Sequence, residues 1–136
     1  MAVDFCSKYI PKIFPQLYSN EILEKDPQQL FTSLLENTNK QLEVNLGGKD
    51  QGACVCLVLC RKEDGIGNQP PRKMCYIANL GDTRAVLSRK GNAERLTKDH
   101  KASNVEEIER VKLVGGRFFR NRLEGMLAVT RALGDF

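Results

Sequence analysis

The feature that most limits what this chain can fold into is an unbroken apolar run of eight residues, from Ala53 to Cys60. It is far shorter than the roughly 18 residues that a membrane span needs. It also lacks helix caps and the polar interruptions of an amphipathic helix. A short, continuous run of this kind predicts a β-strand buried on both faces. The chain around it has 136 residues, 28% of them charged, which suits one soluble core and excludes a fibrous or disordered chain. The first four residues, Met1 to Asp4, lack the basic and apolar regions of a secretory signal, so a cytoplasmic location is expected.

Upstream of the run, Cys6, Tyr9, Ile10, Ile13, Phe14 and Leu17 recur at helical spacing and predict an amphipathic helix. Pro11 is expected to kink or restart it, because an interior proline removes a backbone hydrogen bond. A second helix is predicted from Asp26 as N-cap, Pro27 at the first helical position and Gln29 as capping-box partner. Its inner stripe is Leu30, Phe31, Leu34, Leu35, Thr38 and Leu42, and Gly47-Gly48 should stop it.

Downstream, residues 61–72 are dense in turn formers and predict a long connection. Strands are predicted at 74–80 and 85–88 around the tight Gly81-Asp82-Thr83 turn, with a hairpin turn at Lys90-Gly91-Asn92. Ser103 or Asn104 should cap a third helix that Gly115-Gly116 closes. Residues 117–119, 122–123 and 126–130 predict short strand pieces. This order predicts an α+β fold in a single domain over 1–136. Its helical part is 1–48, and its strands span 49–136 with one helix near 104–114.

The five cysteines, odd in number and mostly in apolar surroundings, predict reduced thiols that serve as small core residues. Cys54, Cys56 and Cys60 would share one strand face with Cys75 near it, so zinc ligation is the alternative, although zinc knuckles usually sit in turns. Net charge is +4, yet residues 110–131 hold Arg110, Lys112, Arg117, Arg120, Arg122 and Arg131 against Glu124 alone. Such a stretch reads either as a basic patch that attracts phosphate-bearing partners or as a solvated face beside Glu106, Glu107 and Glu109. Few aromatic side chains are available to stack on bases, which argues against a nucleic-acid partner.

His100 is the only histidine, and neither a Gly-x-Ser-x-Gly elbow nor a glycine-rich phosphate loop occurs. These absences exclude a serine-hydrolase triad and the common nucleotide-binding loops. Asp82 stands in a tight turn directly after a strand, where a carboxylate can meet a hard divalent cation or hydrogen-bond its own turn. Asp99-His100-Lys101, and the segment from Arg131 to Asp135, also place polar residues where apolar segments end.

The ordered set of Tyr76-Ile-Ala-Asn-Leu-Gly-Asp-Thr-Arg-Ala-Val-Leu, Leu96-Thr-Lys-Asp-His-Lys, Glu109-Arg-Val, Gly115-Gly116 and Leu127-Ala-Val-Thr-Arg-Ala-Leu-Gly-Asp resembles the metal-dependent protein Ser/Thr phosphatases of type 2C. The likeness covers 52–136 and, more loosely, the two helices before it. It implies a partial αββα sandwich of antiparallel sheets flanked by helices, and a Mn²⁺ or Mg²⁺ centre whose two cations activate a water against phosphoserine or phosphothreonine. Asp82 matches the family's Gly-Asp-Ser-Arg aspartate, a ligand of a more weakly held metal, with Arg84 closing the same motif and Thr83 in place of serine. Arg131 and Asp135 match the Ser-Arg-Ala-Leu-Gly-Asp motif beside the cleft, Thr130 replacing serine; Asp135 is the weaker metal candidate.

The family's principal ligands, in upstream Glu-Asp and Asp-Gly-His-Gly-Gly elements and downstream Asp-Gly and Asp-Asn elements, have no counterpart here, nor does its upstream phosphate-binding arginine. Gln51-Gly52-Ala53-Cys54 stands where the family has Gly-Ser-Thr-Ala. The expectation is therefore a central portion of such a phosphatase, inactive as this chain, with weak or absent Mn²⁺ or Mg²⁺ binding and with phosphoproteins as partners. The alternative is a non-catalytic relative that binds phosphoproteins through the 110–131 patch. Open sheet edges further predict a homodimer or strand-swapped oligomer, with no nucleic-acid or membrane partner.

Overall fold

Two helices open the chain because their apolar stripes need a common floor. The structure, a computed structural model, describes residues 1–19, 22, 25–47, 51–64 and 70–136. Helix α1 spans Ala2–Leu17 without the expected restart at Pro11. Both Pro11 and Pro15 face solvent, where water can take the carbonyls that the missing N–H groups leave free. Helix α2 spans Pro27–Leu46, and Asp26 Oδ1 accepts from Gln29 N at 2.9 Å. The return half of the expected capping box is replaced: Asp26 N donates to Ile22 O at 2.8 Å. Gly47 ends α2 in the left-handed region at φ 60°; Gly48 lies outside the described residues.

Strands follow as β1 (Gly52–Ala53), β2 (Val55–Glu63), β3 (Arg72–Leu80), β4 (Val86–Arg89) and β5 (Asn92–Arg95), then helix α3 (Val105–Leu113) and strands β6 (Phe118–Phe119), β7 (Arg122–Leu123) and β8 (Leu133–Gly134). Among the described residues they form four two-stranded antiparallel sheets, β1–β8, β2–β3, β4–β5 and β6–β7. The class is α+β, in keeping with part of the expected sandwich. No helix among the described residues is long and apolar enough to cross a membrane.

The core joins distant parts of the chain: Ala2 and Cys6 of α1, Leu42 of α2, Ala53 of β1 and Leu133 of β8 are all buried together. Thr38 is tolerated in the buried stripe of α2 because its hydroxyl donates to Leu34 O at 2.7 Å. Gly134 N donates to Asn39 Oδ1 at 2.8 Å, which ties the last strand to α2.

The β2–β3 hairpin runs in register from Val55↔Leu80 to Glu63↔Arg72. Leu57 and Leu59 line a cavity with Ile10 and Phe14 of α1 and Phe31 and Leu34 of α2, and Tyr76, Ala78 and Leu80 border α2. The other face behaves differently. Val58 is 54% exposed, and Cys60 and Cys75 are exposed as well, so burial of this strand on both faces is not observed: helices cover one side only. Core packing of the thiols likewise holds fully for Cys6 alone, while Cys54 and Cys56 are half-buried.

The expected long connection is shorter than 61–72, since both strands extend into it. Glu63 explains the extension, accepting from Arg61 Nε at 3.1 Å, Arg72 Nε at 3.1 Å and the Tyr76 hydroxyl at 2.9 Å. Turn formers at 65–69 lie outside the described residues. Residues 126–130 form no strand: Leu127 and Val129 make only isolated bridges, to Leu123 and Lys101. Strand β8 takes the pairing role instead.

Candidate functional site

The Gly81-Asp82 turn is held by the loop that carries Asp99, His100 and Lys101. Gly81 has φ 96°, and a Cβ there would collide with Cys54 Sγ, so both conformation and space demand glycine. Gly81 N donates to His100 Nδ1 at 3.1 Å, and His100 N donates back to Gly81 O at 2.9 Å. Accepting at Nδ1 requires a neutral ring with its proton on Nε2. Burial, then the nearby Arg131 charge, lowers the His100 pKa and favours that neutral form. Asn79 Nδ2 reaches Lys98 O at 3.1 Å, and Thr83 donates to Asn79 Oδ1 at 2.6 Å, so turn and loop move as one.

Asp82 pairs with Lys101 Nζ at 3.0 Å, and that hydrogen bond holds its carboxyl below the usual range. Cys54 lies beside it, its thiol pushed up by burial and by the Asp82 and Asp135 charges, although an Asp82 backbone contact opposes the shift. Gly52 leaves room for the Asp135 carboxylate, which a Cβ would strike. Asp82 thus stands beside Cys54 at the end of β3, and Asp135 beside Gly52 at the end of β8. Arg84 forks Asp99 at 3.0 and 2.7 Å; Arg95 also binds Asp99.

Arg131 is anchored by Glu107, which the sequence suggested only as an acidic neighbour of the basic stretch. Glu107, 3% exposed, accepts from Thr130 Oγ1 at 2.7 Å, from Arg131 Nε at 2.9 Å and through a second Arg131 contact, and from Arg110 at 3.2 and 3.0 Å. Burial opposes its ionisation, but bonds from Arg131, Arg110 and Thr130 outweigh that and hold its carboxyl far below the usual range. A signal was present: Glu107 lies four residues before buried Val111 and three before Arg110, on the inner stripe of α3. Within residues 110–131, Arg110 and Arg131 turn onto Glu107, while Arg117 sits 3.7 Å from Glu124.

Hard divalent cations take about six or more oxygen ligands. Among the described residues no three His, Cys, Asp or Glu side chains converge to hold a metal, and Asp82 already holds an ammonium. Asp82 and Asp135 do not fit a two-cation centre by themselves. The cysteines do not form a zinc cluster among these residues either.

The family profile described as protein phosphatase 2C matches residues 1–136. The chain is 36% identical to protein phosphatase 2C homolog 1 of Schizosaccharomyces pombe across 98% of its own length and 37% of that protein's. It is 37% identical to protein phosphatase 2C homolog 1 of Saccharomyces cerevisiae across 98% of its own length and 50% of the relative's. A rice relative, probable protein phosphatase 2C 21, is 37% identical over 77% of the chain. The chain thus spans half or less of the first two relatives, including the segments that carry Asp82, Glu107 and Asp135, and it belongs to the protein phosphatase 2C family.

Proposed function

We propose that this chain is the central portion of a metal-dependent protein phosphatase that hydrolyses phosphoserine and phosphothreonine in cytoplasmic phosphoproteins. In this reading Asp82 and Asp135 lend carboxylates to the edge of a Mn²⁺ or Mg²⁺ centre, and Arg131 and Arg84 border the substrate cleft. Bound cations would supply the activated water and offset charge on the phosphoryl oxygens. The observation that carries the reading is the family match that runs end to end, with Asp82 in the turn after β3 beside Cys54 and Lys101. The chain by itself is inactive, because its described residues offer too few oxygen ligands to offset two divalent charges.

The alternative, a non-catalytic relative that binds phosphoproteins through 110–131, draws less support, since Arg110 and Arg131 are engaged by Glu107. A homodimer or strand-swapped oligomer through open sheet edges belongs to the same proposal, and light scattering checks it: a clean monomer at high concentration overturns it.

The test is Mn²⁺-dependent hydrolysis of p-nitrophenyl phosphate by this chain, shown to be folded by circular dichroism, beside the longer protein that would contain it. We expect chelator-sensitive turnover by the longer protein and none by the chain. Turnover by the chain that is lost with chelator and with Asp82→Ala would overturn its inactivity, and a longer protein without metal-dependent turnover would overturn the phosphatase reading.

A further inference from the structure

On the open face of the β2–β3 hairpin, Cys60 and Cys75 are register partners, and both are exposed. Their sulfurs lie 3.1 Å apart. Directly opposed strand residues hold their Cβ atoms about 4.5–5.5 Å apart, and a disulfide accepts up to about 4.5 Å, so closure needs only a small adjustment of the two strands. Residues two apart on a strand share a face, so the next pair along it is Lys62↔Lys73. That pair puts two lysines on the strand face that carries the thiols, which are accessible to an oxidant, while the hydrogen bond that Cys60 shares with Cys75 raises the Cys60 pKa. The other cysteines differ: Cys6 is buried, Cys54 is wedged between Gly81 and Asp82, and Cys56 lies opposite Asn79.

We propose that Cys60 and Cys75 form a redox-active dithiol that a hydroperoxide closes into a cross-strand disulfide. One thiolate sulfur attacks the peroxide, whose O–O bond breaks and whose leaving oxygen takes a proton, giving a sulfenic acid and an alcohol or water. The second thiol gives up its proton and its sulfur attacks the sulfenic sulfur; the S–S bond forms, the S–O bond breaks, and the leaving hydroxyl takes that proton and departs as water. The two sulfurs are oxidised and the peroxide is reduced. Closure locks the register of the hairpin whose second strand runs straight into the Gly81-Asp82 turn. The inference stands apart from the phosphatase reading.

Treating the purified chain with hydrogen peroxide tests it, with intact mass, thiol titration and tryptic peptides as readouts. We expect a mass lower by two hydrogens, loss of two of the five titratable thiols, recovery with dithiothreitol, and a covalent link between peptides 50–61 and 74–84. Cys60→Ser and Cys75→Ser should each abolish the link, whereas the double variant Cys54→Ser, Cys56→Ser should keep it. The wild-type mass readout depends on no variant's folding. Peroxide that leaves both thiols free, takes either to a sulfinic acid without a link, links Cys54 or Cys56 instead, or joins two chains would each overturn the proposal.

Discussion

Replacing Glu107 with glutamine tests whether its buried carboxylate holds residues 110 and 130–131 together. Removing one partner of a buried ion pair costs about 3–5 kcal/mol. Here Glu107 is buried, but the Arg131 and Arg110 side chains remain 39% and 41% exposed and can take up water. Glutamine also keeps one acceptor for Thr130. Both facts bring the expected loss down to about 2 kcal/mol. For a chain of this size, that lowers Tm by about 6–8 °C.

The same carboxylate sets a pH window. Its folded pKa lies below the ordinary 4.5, so the unfolded chain takes up the proton first as pH falls. Its contribution is complete above about pH 4.5 and drains away below it. Glutamine carries no such proton. Urea denaturation of the two proteins from pH 7 to pH 4 should therefore show a constant gap down to about pH 5, which narrows on further acidification. A gap under about 0.5 kcal/mol at pH 7, the level of an ordinary surface substitution, or one that widens in acid, would refute the reasoning.

Two further expectations are open to similar measurements. Gly134→Ala should cost about 2–4 kcal/mol, since φ is 77° and a Cβ would strike the Gln51 carbonyl, whereas Gly91→Ala, at φ 82° with nothing within 4 Å, should cost about 1–2 kcal/mol. Equal losses in urea titrations would remove the steric argument. His100, neutral where it accepts from Gly81 N, should show a proton NMR titration midpoint below its ordinary 6.5, with stability falling as pH drops below that value; a midpoint at or above 6.5 would contradict the assignment.

What was legible in the sequence was whatever a neighbour a few residues away decides. Asp26 and Pro27 start α2, Asn104 starts α3 by accepting from Glu106 N, and Lys90-Gly91 turn the β4–β5 hairpin through positive φ. Periodicity likewise located the stripe of α2. Burial of charge was illegible because it depends on partners far along the chain: Glu107 is inside only because Thr130 and Arg131, more than twenty residues on, bring donors to it. The exposure of Val58 and Cys60 escaped for a related reason. An apolar run records what a strand can bury, whereas the layers actually present decide how much of it is covered.

The candidate site follows the same division. Asp82 was recognisable from its turn, yet its environment is assembled by Lys101 and Cys54, neither of them a sequence neighbour. His100 connects these parts, bonding Gly81 through ring and backbone while its carbonyl accepts from Thr130 N at 2.9 Å. Thr130 is in turn bonded to Glu107. A continuous path of hydrogen bonds therefore runs from the buried carboxylate of α3 to the turn that presents Asp82. It follows that the geometry at Asp82 rests on residues that would never touch a cation or a phosphate, and that substitutions at Glu107 or His100 act on the site by moving its scaffold.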